Sequence, residues 1–164
     1  MESYLWLIPL IPFIGFLING LGRKVLSNAL VGFIGSAAVL TSFILSVVVF
    51  MNVPSGADAA PIIVKYFDII NLPTIKVPFA FQIDALTSLF LLIITGVGFL
   101  IHLYSTAYMS EDKGFGKFFA YLNLFIFFML LLVMGNNFFM MFIGWEGVGL
   151  CSFLLIGFWY TNPD

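Results

Sequence analysis

The sequence predicts an all-α integral membrane protein of about five transmembrane helices, with a short outer β-hairpin between the second and third. Hydrophobic residues make up 62% of the 164 and charged residues only 9%, whereas a soluble domain carries about 25% charged residues. The mean hydropathy of +1.15 agrees. Apolar residues also gather into five runs, each approaching the roughly 20 residues that cross a 30 Å hydrocarbon core. Only helices or closed barrels satisfy the backbone there, and these continuous runs lack the alternation of a barrel strand.

The first run, Leu5 to Leu21, is short and carries Pro9 and Pro12, which are tolerated near a helix start and kink a helix further in. Glu2 precedes it, Arg23 and Lys24 follow it, and no Ala-x-Ala-like site appears. That is the reverse of a secretory signal, so the run reads as a retained helix. The second run is Leu30 to Val53. The joint after it, Pro54 to Ile83, holds two β-like stretches, Ile62 to Ile70 and Lys76 to Gln82, around Asn71-Leu72-Pro73-Thr74. A hairpin fits. An isolated hairpin is marginal in water, so this one is expected to lie on a neighbouring protein surface.

Asp84 precedes the third run, Ala85 to Tyr104, in the place of a helix N-cap. The fourth run, Phe115 to Met134, contains Lys117, read as snorkelling to the interface, and Asn123, read as an interhelical hydrogen bond. The fifth is Phe138 to Tyr160. No repeat or boundary divides residues 1–164, which read as one transmembrane domain. Arg23, Lys24, Lys113 and Lys117 put the joints after the first and third runs in the cytoplasm, with the chain's start outside and its end inside.

The chemistry concentrates at Glu146, near the middle of the fifth run. An acid at the centre of a lone spanning helix costs roughly 2.5 to 3.5 kcal/mol, so such acids mark proton relays, ion paths or buried ion pairs. It lies in Gly144-Trp145-Glu146-Gly147-Val148-Gly149, whose small residues allow close helix approach and suggest a packed site rather than a lipid-facing one. No buried partner is visible, so a counter-ion must come from another chain or from further sequence. His102, the single histidine, suits either proton exchange or an interhelical hydrogen bond. Cys151 has no partner for a disulfide. There is no phosphate-cradling glycine loop, no Cys or His pair at metal spacing, and no nucleophile with a base, so covalent catalysis by this chain alone is not expected. Nothing points to nucleic acid.

Phe81-Gln82-Ile83-Asp84-Ala85-Leu86 and Gly96-Val97-Gly98-Phe99-Leu100-Ile101-His102-Leu103-Tyr104-Ser105 begin a resemblance to a known family. Phe118-Phe119-Ala120-Tyr121-Leu122-Asn123-Leu124-Phe125, Gly144 to Ser152 and Leu154 to Trp159 strengthen it. Together they resemble the largest antiporter-like membrane subunit of respiratory complex I, the NADH:quinone oxidoreductase, often called chain L or chain 5. The resemblance implies a subunit of a proton-translocating enzyme, in which Glu146 transfers protons and pairs with a lysine on the seventh helix, and His102 is a candidate relay. It further implies other membrane-arm subunits as partners, with FMN, iron–sulfur clusters, NADH and quinone bound by other subunits and no cofactor or metal on this chain.

Asn136-Asn137 stands where that family commonly has Asp-Asn. The family chain is also much longer, so these residues read as an N-terminal portion. The implied location is a bacterial cytoplasmic membrane, or the mitochondrial inner membrane for an organelle-encoded chain. Two alternatives remain: the large subunit of an Mrp-type cation/proton antiporter, which shares the motifs, and a structural module whose glycines pack and whose Glu146 fixes helix register.

Overall fold

The computed structural model describes residues 4–54 and 60–160. Five helices and one hairpin follow in the expected order: α1 (Leu7–Gly22), α2 (Asn28–Asn52), β1 (Ile62–Asn71), β2 (Lys76–Ile83), α3 (Ala85–Tyr108), α4 (Phe115–Met134) and α5 (Phe138–Ile156). By length and composition α2, α3, α4 and α5 can each cross a membrane. The chain is a membrane protein. α1 has 16 residues, below that length, with Pro12 inside it. The five helices read from the sequence are all present, and the run that reads as short is the short helix.

The helix ends are set by local chemistry. Ser27 Oγ accepts from Leu30 N–H at 3.4 Å, Asp84 Oδ1 from Thr87 N–H at 2.7 Å, and Asn137 Oδ1 from Met140 N–H at 3.0 Å. Each side chain satisfies an amide that the first helical turn leaves without a partner. The Asp84 cap is the one the sequence announces. The hydrogen bond from Thr87 holds its carboxyl below the ordinary aspartate value.

α4 is the central helix, packed against α1, α2, α3 and α5 and touched by β2. Two apolar clusters flank its length. One gathers Leu5, Val39, Leu91, Leu130 and Met140 beneath the hairpin residues Phe81 and Ile83. The other joins Val31, Met109, Phe115 and Phe119 near the opposite end, where α4 begins.

The hairpin is antiparallel, running from Ile62 opposite Ile83 to Asn71 opposite Lys76, with register irregularities after Lys65 and Asp68. It lies on its own bundle, which corrects the expectation of a surface on a neighbouring protein. Phe81 bridges to Gly135, Asn136 N–H donates to Ala80 O at 3.1 Å, and Asn137 Nδ2 donates to Pro78 O at 2.8 Å. Burial pushes the Tyr66 phenol up, and the nearby Trp6 backbone opposes that shift. The hairpin therefore reaches from the α4–α5 turn to the start of α1. These contacts supply the third surface that a two-stranded ribbon lacks.

Candidate functional site

α5 carries residues of opposite character on its two sides. Gly144 sits where an added Cβ would lie 2.6 Å from the Leu132 backbone, and at Gly147 it would enter the Phe128 ring. Both are positions where α4 and α5 approach more closely than any side chain permits, the use of glycine that the motif suggests. Gly149 differs, having nothing within 4 Å of its missing Cβ. Cys151 is buried and free on the packed side.

Glu146 faces the other way. It is exposed, between Trp145 at 67% and the exposed Phe142, Leu150 and Phe153. Within the described residues the motif divides: Gly144 and Gly147 turn toward α4, and the carboxylate turns away. Its depth is about 12 Å from the start of α5, taking 1.5 Å per residue. Among the described residues it has no ion-pair or hydrogen-bond partner. Lys117 lies beside Phe153, Leu154 and Gly157 at the far end of the helix, two to three turns away. A carboxylate at mid-membrane depth on an otherwise apolar face is costly unless another helix covers it and offers a cation or donor.

His102 is placed differently, buried on α3 with 1% of its surface exposed. Its Nδ1 lies 2.8 Å from Gly98 O. A carbonyl oxygen only accepts, so Nδ1 carries a proton and donates it to Gly98 O. Nε2 has no hydrogen-bond partner among the described residues. The ring meets Phe119 edge-on at 5.9 Å and borders a small cavity of about 120 Å³ with Gly98, Leu122, Phe125, Ile126 and Leu155. The structure thus leaves the two predicted residues apart, one inside the bundle and one on its surface.

Asn123 does not make the interhelical hydrogen bond read from the sequence. Its Nδ2 donates to Phe119 O of its own helix at 2.9 Å. The amide is instead clamped between glycines: a Cβ at Gly15 would lie 2.8 Å from Oδ1, and one at Gly35 would lie 2.9 Å from Nδ2. The interhelical polar bonds come from residues that sequence reasoning passes over. Asn19 Nδ2 donates to Val31 O at 3.3 Å, and Ser42 Oγ donates to Ile8 O at 2.8 Å. Their only sequence signal is a polar residue within an apolar run.

Comparison with known proteins agrees with the motif pattern. Residues 70–119 match the family described as NADH-Ubiquinone oxidoreductase (complex I), chain 5 N-terminus. Residues 135–164, which include Glu146, match NADH:quinone oxidoreductase/Mrp antiporter, TM. The chain is 41% identical over 158 residues to NADH-quinone oxidoreductase subunit L of Rickettsia conorii, covering 96% of this chain and 24% of that protein. The subunit L of Mycobacterium tuberculosis is 42% identical over 165 residues, covering 98% and 25%. NADH-ubiquinone oxidoreductase chain 5 of Hypocrea jecorina is 39% identical over 155 residues, covering 93% and 22%. The chain spans about a quarter of the length of the curated relatives it matches.

Proposed function

We propose that this chain, which resembles subunit L and chain 5 of complex I over nearly all of its length, forms part of a proton-translocating membrane subunit of NADH:quinone oxidoreductase. In this reading quinone reduction elsewhere in the complex drives proton movement through Glu146. The observation that carries it is the position of Glu146, at mid-helix on the uncovered side of α5. A helix outside the described residues covers that face and presents a lysine to the carboxylate. Withdrawing or restoring that positive charge changes how strongly Glu146 holds a proton, because an opposite charge within a few ångströms favours the ionised form. The coupling is electrostatic, and the only bonds made or broken on this chain are those to the transferred proton. FMN, iron–sulfur clusters, NADH and quinone belong to other subunits, and the neighbours are other membrane-arm subunits.

His102 has a secondary part in this reading, as a neutral imidazole whose free Nε2 accepts a proton from water entering beside α4. The basic joints after α1 and α3 face the cytoplasm or matrix, and the hairpin faces outward.

The test is Glu146→Gln in the parent complex reconstituted into vesicles, with proton pumping measured against NADH-driven quinone reduction. Pumping is expected to fall at least about tenfold with assembly intact on native gels, in the range of losing a positioned proton-transfer group. Unchanged pumping would refute the assignment. A second reading, the large subunit of an Mrp-type cation/proton antiporter, is favoured by the match of residues 135–164 to a description that names both. Purification through a tag on this chain separates the two: flavin and iron–sulfur subunits accompany a complex I subunit and are missing from an antiporter.

A further inference from the structure

At the end of the bundle where α1 stops and α4 starts, a groove of about 240 Å³ opens between these two helices. Its walls are Phe16, Leu17 and Leu21, and its floor is Gly20 and Ala120, small residues that keep it open. A Cβ added at Gly20 would still be 3.8 Å from Ala120. Arg23 and Lys117 stand at its mouth. Tyr121 forms the wall beside Lys117, whose Nζ lies 5.8 Å from the ring centroid. On the far side of the same Lys117–Tyr121 ridge, between α4 and α5, is a second groove of about 380 Å³ lined by Phe153, Leu154 and Phe158. Two apolar channels thus descend from one cationic ridge.

The charges at this ridge are unmatched. The one ion pair among the described residues is Lys65 with Asp68, on the hairpin. Asp112 lies at this end of the bundle, but its oxygens accept from Gly114 N–H at 2.6 Å and Trp159 Nε1–H at 2.8 Å. Lys117 also sits in the first turn of α4, where the helix dipole disfavours a cation and favours an anion. An anion between Arg23 and Lys117 answers both conditions. The grooves below demand long apolar chains, and basic pockets between membrane helices at such an interface take anionic lipid headgroups.

We propose that the ridge and its two grooves form one binding site for an anionic phospholipid, the phosphodiester between Arg23 and Lys117 and an acyl chain in each groove. The site uses none of the residues assigned to proton movement, although Phe153 borders both the second groove and the face of α5 that carries Glu146.

A photoactivatable phosphatidylglycerol, incorporated into vesicles with the parent complex and mapped by peptide mass spectrometry, tests this. Crosslinks are expected on Leu17, Leu21 and Phe153, and unlabelled phosphatidylglycerol but not phosphatidylcholine should compete them away. Removing one charge, by Arg23→Gln or Lys117→Gln, should cut labelling roughly fivefold, and Arg23→Lys should retain it. Equal labelling by a phosphatidylcholine probe would mean ordinary boundary lipid and overturn the proposal. No labelling by either probe would mean that protein fills the grooves, and displacement by inorganic phosphate would reduce the site to a simple anion site; both outcomes also overturn it.

Discussion

α4 and the outer side of α5 contain the two most informative polar side chains of the membrane segments, and they treat them in opposite ways. Asn123 on α4 is buried, its Nδ2 bonded to its own backbone and its amide held between Gly15 of α1 and Gly35 of α2. Glu146 on α5 has glycine neighbours too, but Gly144 and Gly147 serve the face behind it, while Gly149 on its own side meets nothing. The difference separates a polar side chain enclosed within the described residues from one exposed on their surface. The Asn123 amide places its Nδ2–H on its own helix backbone, whereas a carboxylate at membrane depth has no such local donor and is costly unless a cation or donor covers it.

The sharpest way to break the contrast is at the closed side of α5. Gly144→Leu would drive a side chain into the Leu132 backbone, and neither helix can yield without parting. We expect loss of the assembled parent complex on native gels, beyond the roughly 1 to 3 kcal/mol typical of overpacking. Gly35→Ala is a smaller insult around α4, placing a methyl 2.8 Å from Phe119 and 2.9 Å from the Asn123 amide. It should cost about 1 to 3 kcal/mol, read as a lowered Tm of the purified complex with assembly retained.

Asp84→Ala asks whether order extends to the hairpin end of α3. Losing the cap should cost about 1 kcal/mol, seen as faster amide exchange in the first turn of that helix. Because the folded carboxyl is held below its ordinary value of 3.8, the cap's electrostatic contribution is fully present above that value. It is lost as pH falls through the lowered one, so wild type and variant should converge in strongly acidic buffer. The smallest effect belongs to Gly149→Ala. With nothing within 4 Å among the described residues, it should change folding of this unit by less than about 0.5 kcal/mol. A large stability loss there in the isolated unit would show that the outer side of α5 is closed by its own chain.

Part of the site is legible in the order of residues alone. Glu146 announces itself by its cost, Asp84 by standing one residue ahead of an apolar run, and the hairpin by two β-like stretches around Asn71-Leu72-Pro73-Thr74. Asn123 misleads because a polar residue in an apolar run can bond across to a neighbour or back to its own helix, and the two look alike in sequence. The direction of Glu146 is hidden because the glycines on either side suggest one packed surface. Successive residues on a helix are about 100° apart, so Gly144 and Gly147 can share a face that Glu146 does not.

The sequence by itself determined the number and order of the membrane helices, the hairpin between the second and third, and the presence of one mid-helix carboxylate, because each depends on composition along the chain. Only the tertiary structure decided which way that carboxylate faces, which nitrogen of His102 donates to a backbone carbonyl, and which helix lies at the centre. Nearly every position of α5 is apolar, so its sequence does not mark a buried side as an amphipathic helix does. The side was chosen by where Leu132 and Phe128 of α4 meet its glycines.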